Sequence, residues 1–241
     1  MTIKRSLFSL ARSVKKQFSL KADVKAESGI GVLIIFIALV LVAAVAASVL
    51  IHTAGILQQR AQSTGTTTIS QVSTGIVVNE IVGYDNATPA EAGGIEYLAI
   101  IVSDNTGGNP VDLGNTTLTL TMNGVTSVLV YNSSAFLSVA GSGSQNLFGT
   151  SVWGKLSASN NNPTSFGVVA VSDPQRSMTT SYPVLTPGAQ AAIIVNVTNT
   201  FGSNLTQNEP VSGQITPETG VSTTINFVAP EAFDTHAITL Q

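Results

Sequence analysis

The chain has 241 residues, 44% of them hydrophobic and only 10% charged, against roughly 25% charged in an average soluble domain. It contains no cysteine, which excludes a disulfide scaffold, a thiolate zinc centre and a cysteine nucleophile, and the scarcity of charge argues against an ordinary cytosolic enzyme. Seven of its ten Lys and Arg residues fall within the first 26, where Asp23 is the only acid, so residues 27–241 carry three bases against twelve acids, a formal charge of −9. Three bases cannot build a basic face for nucleic acid.

After this basic leader, Gly29–Ile51 reads GIGVLIIFIALVLVAAVAASVLI without a charge. As a helix these residues would span roughly 34 Å at ~1.5 Å each, about the thickness of a bilayer's hydrocarbon core. The run has no polar face, so its helix requires apolar surroundings on every side, either lipid or other helices. Seven cations on its N-terminal flank place the leader in the cytoplasm and the C-terminal body outside. Ala43, Ala44, Ala46 and Ala47 would suit an ordinary secretory cut after the apolar core, yet the run is far longer than the 7–15 residues of such a core. Beyond it, Ile51, Ala54, Ile56, Leu57 and Ala61 prolong a partly apolar face, and the Ser/Thr/Gly/Gln stretch 62–75 is expected to end the helix, with a boundary near residue 70.

From Ile76 the chain reads as all-β. Strands are predicted at 76–84, 95–103, 116–122, 125–131, 166–172, 190–198 and 222–229. Thr117, Thr119 and Thr121 alternate with Leu118, Leu120 and Met122, the pattern of a strand with one wetted face. Asn123-Gly124 between two such runs is a tight-hairpin signal. Short strands at regular spacing, with Pro and Gly in the connections, predict an antiparallel β-sandwich.

The stretch from Lys21 to Thr64, above all SGIGVLIIFIALVLVAAVAA at 28–47 and LQQRAQST at 57–64, resembles the N-terminus of the archaellins, the archaeal flagellins. VVNEIVGYD, the SYPVLTPGAQAAIIVNV region and the closing TTINFVAPEAFDTHAITLQ extend that resemblance across nearly the whole chain. The resemblance implies an α+β protein: a cleaved basic leader at 1–26, a hydrophobic N-terminal helix and linker at 27–69, and an immunoglobulin-like antiparallel β-sandwich at 70–241. It implies a cut between Ala26 and Glu27 by a membrane peptidase of the prepilin type, with Lys25 before the bond and Gly29 third in the mature chain. Ala26 stands where the family usually carries Gly. Ile30, Gly31, Leu33, Ile34, Phe36, Ile37, Leu41, Ala44 and Leu50 would then form a filament core, packing first against lipid and later against other copies or other archaellins.

The implied product is an extracellular homopolymeric filament, an archaellum, built at a membrane assembly platform and turned for swimming by a cytoplasmic ATPase motor. Two alternatives stay open at the sequence level, a type IV adhesion pilin and a signal-anchored surface protein. Adhesion pilins often carry Glu at the fifth mature position, which here is Gly31.

No catalytic constellation is legible. His52 and His236 are the only histidines, and no HExxH, GxSxG, phosphate-loop or dinucleotide fingerprint occurs. The AGSGSQ stretch at 140–145 reads as a turn, and Trp153 as a half-buried packing residue. Asp85, Glu91, Glu96, Asp104 and Asp112 fall within 28 residues. They are the candidate ligands for a calcium-like cation, although solvated loop acids are the favoured reading, and no cofactor is expected. N-x-[ST] sequons occur at Asn86, Asn115, Asn132, Asn196 and Asn204. By resemblance these are candidates for glycosylation by an oligosaccharyltransferase, and the alternation of Ile193, Val195 and Val197 predicts Asn196 on the outward face.

Overall fold

The computed structural model describes residues 3–86, 93–105, 109–141, 146–156 and 163–241, with the backbone alone over 3–28. Two units divide the chain, residues 1–64 and 65–241. The first is a single element: helix α1 (Ile3–Ser73) runs unbroken from the leader through the apolar stretch and into the second unit. It ends inside the Ser/Thr/Gly/Gln stretch 62–75, at Ser73, a few residues past the expected boundary near 70. A helix already nucleated by some sixty residues extends at little cost even through weak formers. The stop is imposed by side-chain and backbone contacts of the β unit. Asn109 donates its Nδ2–H to Ser70 Oγ at 2.5 Å and its backbone N–H to Thr74 Oγ1 at 3.0 Å, while Val221 N–H donates to the Thr74 carbonyl at 2.9 Å.

The second unit is built on β1 (Ile76–Tyr84), β2 (Tyr97–Asp104), β3 (Val111–Asp112), β4 (Thr117–Met122), β5 (Val125–Ser138), β6 (Ser165–Ser172), β7 (Val184–Leu185), β8 (Gln190–Asn196), β9 (Pro210–Thr216), β10 (Thr223–Val228) and β11 (Ala237–Thr239), with a short helix α2 (Val197–Phe201) after β8. Nine strands form one sheet in the order β10-β9-β4-β5-β6-β8-β2-β1-β11, and β3 pairs with β7. Every pairing is antiparallel except β5 with β6. The sheet folds over so that its two halves face each other. Gly75 bridges to Val221 at the start of β10, Thr223 Oγ1 donates to the Ile76 carbonyl, and one apolar core gathers Ile81, Leu98, Leu118, Leu129, Phe166, Ile193, Ile215 and Ile225 from both halves. The long helix followed by a largely antiparallel β domain is the predicted fold class.

The strands differ in how much of each face is covered. In β4, Leu118, Leu120 and Met122 are buried while the threonines between them are half-exposed, as the alternation predicts. In β6 and β8 nearly every residue is buried, because a second cluster lies on the outer side of β2, β6 and β8. There Ala99, Val169, Ala192 and Ile194 pack under Val152, Trp153 and Leu156. Trp153 is 4% exposed, deeper than the predicted half-burial. Its Nε1–H donates to the Leu147 carbonyl at 3.0 Å, and its ring lies 5.5 Å from Phe148 and 4.6 Å from Tyr97.

Strand β9 is not among the predicted strands; its sequence PVSGQIT carries Pro210 and Gly213, both depleted in strands. Gly213 is required by close approach: a Cβ there would lie 2.4 Å from the Thr119 carbonyl oxygen. At the hairpin, Asn123 and Gly124 take φ of 49° and 74°, the left-handed pair that a tight two-residue turn needs.

Candidate assembly surface

Residues 29–50 of α1 make a helix with no covered side. Every one of them is exposed within the chain: Ile30 60%, Leu33 61%, Ile34 62%, Phe36 63%, Ile37 55%, Leu41 61% and Leu50 68%. Consecutive large apolar side chains from Val32 to Ile37 necessarily point around the whole circumference. Added Cβ atoms at Gly29, Gly31 and Gly55 would meet nothing within 4 Å. Nothing inside the subunit demands glycine at those positions, and small residues let a neighbouring helix approach closely.

From Ser28 to Asn79 the only charged residue besides His52 is Arg60. The surface is one that water disfavours and that a bilayer or a bundle of like helices would cover. Burying a large aliphatic side chain is worth about 1.5–3 kcal/mol, and every large side chain among the predicted core positions is still more than half exposed.

The predicted cleavage site lies at Lys25, Ala26 and Glu27, where the backbone is helical and continuous with the apolar run; the side chains there are outside the described residues. Among the described residues no three acids or histidines come together as metal ligands. Asp85 and Asp104 are buried, Asp112 caps the 3₁₀ turn at Leu113–Asn115 by accepting from Gly114 N–H at 2.8 Å, and Glu91 and residues 142–145 of the Gly-rich turn lie outside the described residues. Burial pushes the Asp104 carboxyl above its ordinary value, opposed by the backbone N–H of Asn105.

The five sequon asparagines are not equivalent. Asn86 is exposed. Asn132 is half-buried, and its Oδ1 accepts the Ser134 N–H at 3.0 Å, while its amide nitrogen makes no hydrogen bond among the described residues. Asn115 Nδ2 donates to Glu218 at 3.0 Å, and Asn204 Nδ2 to the Gly93 carbonyl at 2.6 Å. Asn196 contradicts its outward placement. It is 8% exposed and caps α2 by accepting the Asn199 N–H at 2.9 Å, because β8 is covered on both faces and alternation there does not separate inside from outside.

The family model described as archaeal-type flagellin matches residues 26–227. Flagellin B1 of Thermoplasma volcanium is 45% identical over 245 aligned positions, which cover 96% of this chain and 99% of that one. Flagellin B3 of Methanocaldococcus jannaschii is 41% identical, with coverages of 88% and 94%. Among solved structures, that of the archaeal flagellin FlaB1 from M. jannaschii aligns at a TM-score of 0.60 and 30% identity over 70% of this chain and 97% of that one. The archaeal flagellum of Methanospirillum hungatei shares the fold at a TM-score of 0.56 and 19% identity, over 87% and 98%.

Proposed function

The chain belongs to the archaeal-type flagellin family and is a structural subunit of an extracellular archaellum filament that serves swimming motility; from that premise we propose how it is processed and what it buries. The precursor sits in the membrane with residues 1–26 inside. A prepilin-type peptidase cuts between Ala26 and Glu27, and seven positive charges leave with the leader. Carrying those charges into an apolar interior would cost several kcal/mol each.

The helix from Glu27 to about residue 64 then exchanges lipid for the corresponding helices of neighbouring copies, and the β unit forms the shell. The observation that carries this reading is the helix exposed on every side over residues 29–50, with seven of the ten Lys and Arg residues before it. The match to the family model also begins at residue 26, beside the proposed cut. A membrane platform with its ATPase motor is the partner this route requires. Asn86 and Asn132 are the sequons whose amide nitrogens are best placed for glycosylation.

N-terminal sequencing of the subunit taken from filaments tests the route. It should return Glu27; a chain beginning at Met1 or Thr2 would refute cleavage, and one beginning after Ala47 would place the helix outside the mature protein.

A further inference from the structure

Polymers that do not close require two different patches on each copy, one to give and one to receive. Two such patches stand at opposite ends of the β sheet. The described part of this unit has only two cations, Lys155 and Arg176. Both are exposed, and neither pairs with a carboxylate among the described residues.

Arg176 lines a groove of about 600 Å³ together with Ser138, Val171, Ser172 and Pro174. It holds a left-handed backbone, φ 53°, a conformation that costs a non-glycine residue of its kind free energy and persists only where its surroundings fix it. Those surroundings are explicit. Asp173 also borders the groove, but its Oδ1 accepts from Ser177 N–H at 3.0 Å and Ser177 Oγ–H at 3.2 Å, and its Oδ2 from Met178 N–H at 2.8 Å. The neighbouring acid is spent on pinning the loop, and the guanidinium is presented without a partner.

Glu231 and Asp234 form the complementary patch. Both are exposed and neither carboxylate has a hydrogen bond among the described residues, whereas Glu218 accepts from Asn115 and Glu209 from Thr206. Phe233 between them is 2% exposed and anchors the corner.

The register separates the two patches along the strands. Arg176 follows the end of β6, where Ser172 pairs with Gln190 and Gln190 with Ser103. Glu231 and Asp234 follow Val228, which pairs with Pro210; the next pairs, Phe227 with Val211 and Val211 with Met122, lead to the start of β5. Ser138, at the far end of β5, pairs with Ala170 of β6. The eight residues of β6 alone span roughly 26 Å at ~3.3 Å each. We propose that the Arg176 groove of one copy receives the Glu231–Asp234 corner of the next, a head-to-tail contact between outer domains additional to the helix core. In a mature chain of formal charge −9, an unpaired guanidinium facing two unpaired carboxylates is the arrangement that lets like-charged copies touch.

The absence of native cysteine makes the test clean. Filaments of the full chain carrying Arg176→Cys and Asp234→Cys are treated with a short bismaleimide and run on a denaturing gel. The double variant should give a ladder extending beyond dimer, while either single variant stays monomeric. Monomer alone from intact filaments would overturn the proposal, and so would a product that stops at dimer, which indicates a self-complementary contact.

Charge reversal supplies an independent reading. R176E and D234R filaments should each disassemble at a lower temperature than wild type, and R176E/D234R should recover at least half of the loss. Unchanged disassembly in both single variants, or no recovery in the double, would overturn it. The inference rests on the chain forming filaments, and the outcomes separate: no filaments from the unaltered chain would refute the filament reading, whereas filaments without a ladder refute only this contact.

Discussion

Truncating Leu41 to alanine separates what holds the subunit together from what holds the filament together. Leu41 is 61% exposed within the chain and belongs to neither apolar cluster of the β unit. About three-fifths of its burial remains to be gained on assembly. Full burial of a leucine is worth at most about 3 kcal/mol, so the unrealised part is about 1–2 kcal/mol. At 1.4 kcal/mol per tenfold, L41A should raise the subunit dissociation constant about 5- to 30-fold, and any cavity left in the packed core would add to that. Purified L41A filaments should therefore disassemble at lower temperature and lower detergent concentration than wild type, while the β unit melts unchanged. L41D should give no filaments, since a carboxylate in an apolar core costs at least about 2.5 kcal/mol more. Normal filaments from L41D, or an equal loss of melting temperature in the β unit and the filament of L41A, would refute the assignment of this helix to the core.

Gly213→Val should destabilise the β unit by about 2 kcal/mol or more, because even a Cβ at this position meets the Thr119 carbonyl at 2.4 Å; thermal denaturation followed by far-UV circular dichroism reads it as a lowered melting temperature. Trp153→Ala should cost about 3–5 kcal/mol in the same assay, through the loss of a 4%-exposed ring and its contacts to Phe148 and Tyr97. Asn196→Ala should remove a helix cap and cost about 1 kcal/mol without changing the mass of the glycosylated protein, whereas Asn86→Gln should reduce that mass, as intact-protein mass spectrometry would record.

Burial raises the Asp104 carboxyl, so the folded state holds its proton to higher pH than the unfolded chain. Its contribution to stability is therefore present below the unfolded value of about 3.9 and is lost as pH rises through the raised folded value. Asp104→Asn should increase the melting temperature at pH 7 and bring no gain below about pH 4; an equal effect at both would refute a titrating origin.

Much of this fold is legible in the sequence where one physical demand acts alone. Residues 76–84 are a strand with the predicted bounds, and the Thr/Leu alternation of 117–122 reports burial correctly because only one face of β4 is covered. Asn123-Gly124 marks its turn because Asn-Gly is among the few pairs that adopt two successive left-handed residues cheaply. Legibility fails where distant segments meet. Asn196 is buried because β8 is covered on its outer side by the segment carrying Val152, Trp153 and Leu156, some forty residues earlier, and the Leu156 carbonyl accepts from Asn199 Nδ2 at 3.1 Å, something no local pattern encodes. Helix α1 continues to Ser73 because its end is set by Asn109 and Val221 rather than by its own composition. Strand β9 hides behind Gly213, whose smallness serves a neighbouring strand. The assembly surface is the most legible part of all: a helix apolar on every side has no solution within its own chain, so its function is written in what it lacks.

The central claim, that residues 29–50 leave lipid to become the buried core of the filament, is tested most directly by an electron cryo-microscopy map of filaments purified from the native source. The account predicts chains beginning at Glu27, with Ile30, Phe36 and Leu41 packed against the same helix of neighbouring copies at the filament axis and the β units outside. A map in which these helices remain unpaired, or in which the filament is held by the β units alone, would contradict it.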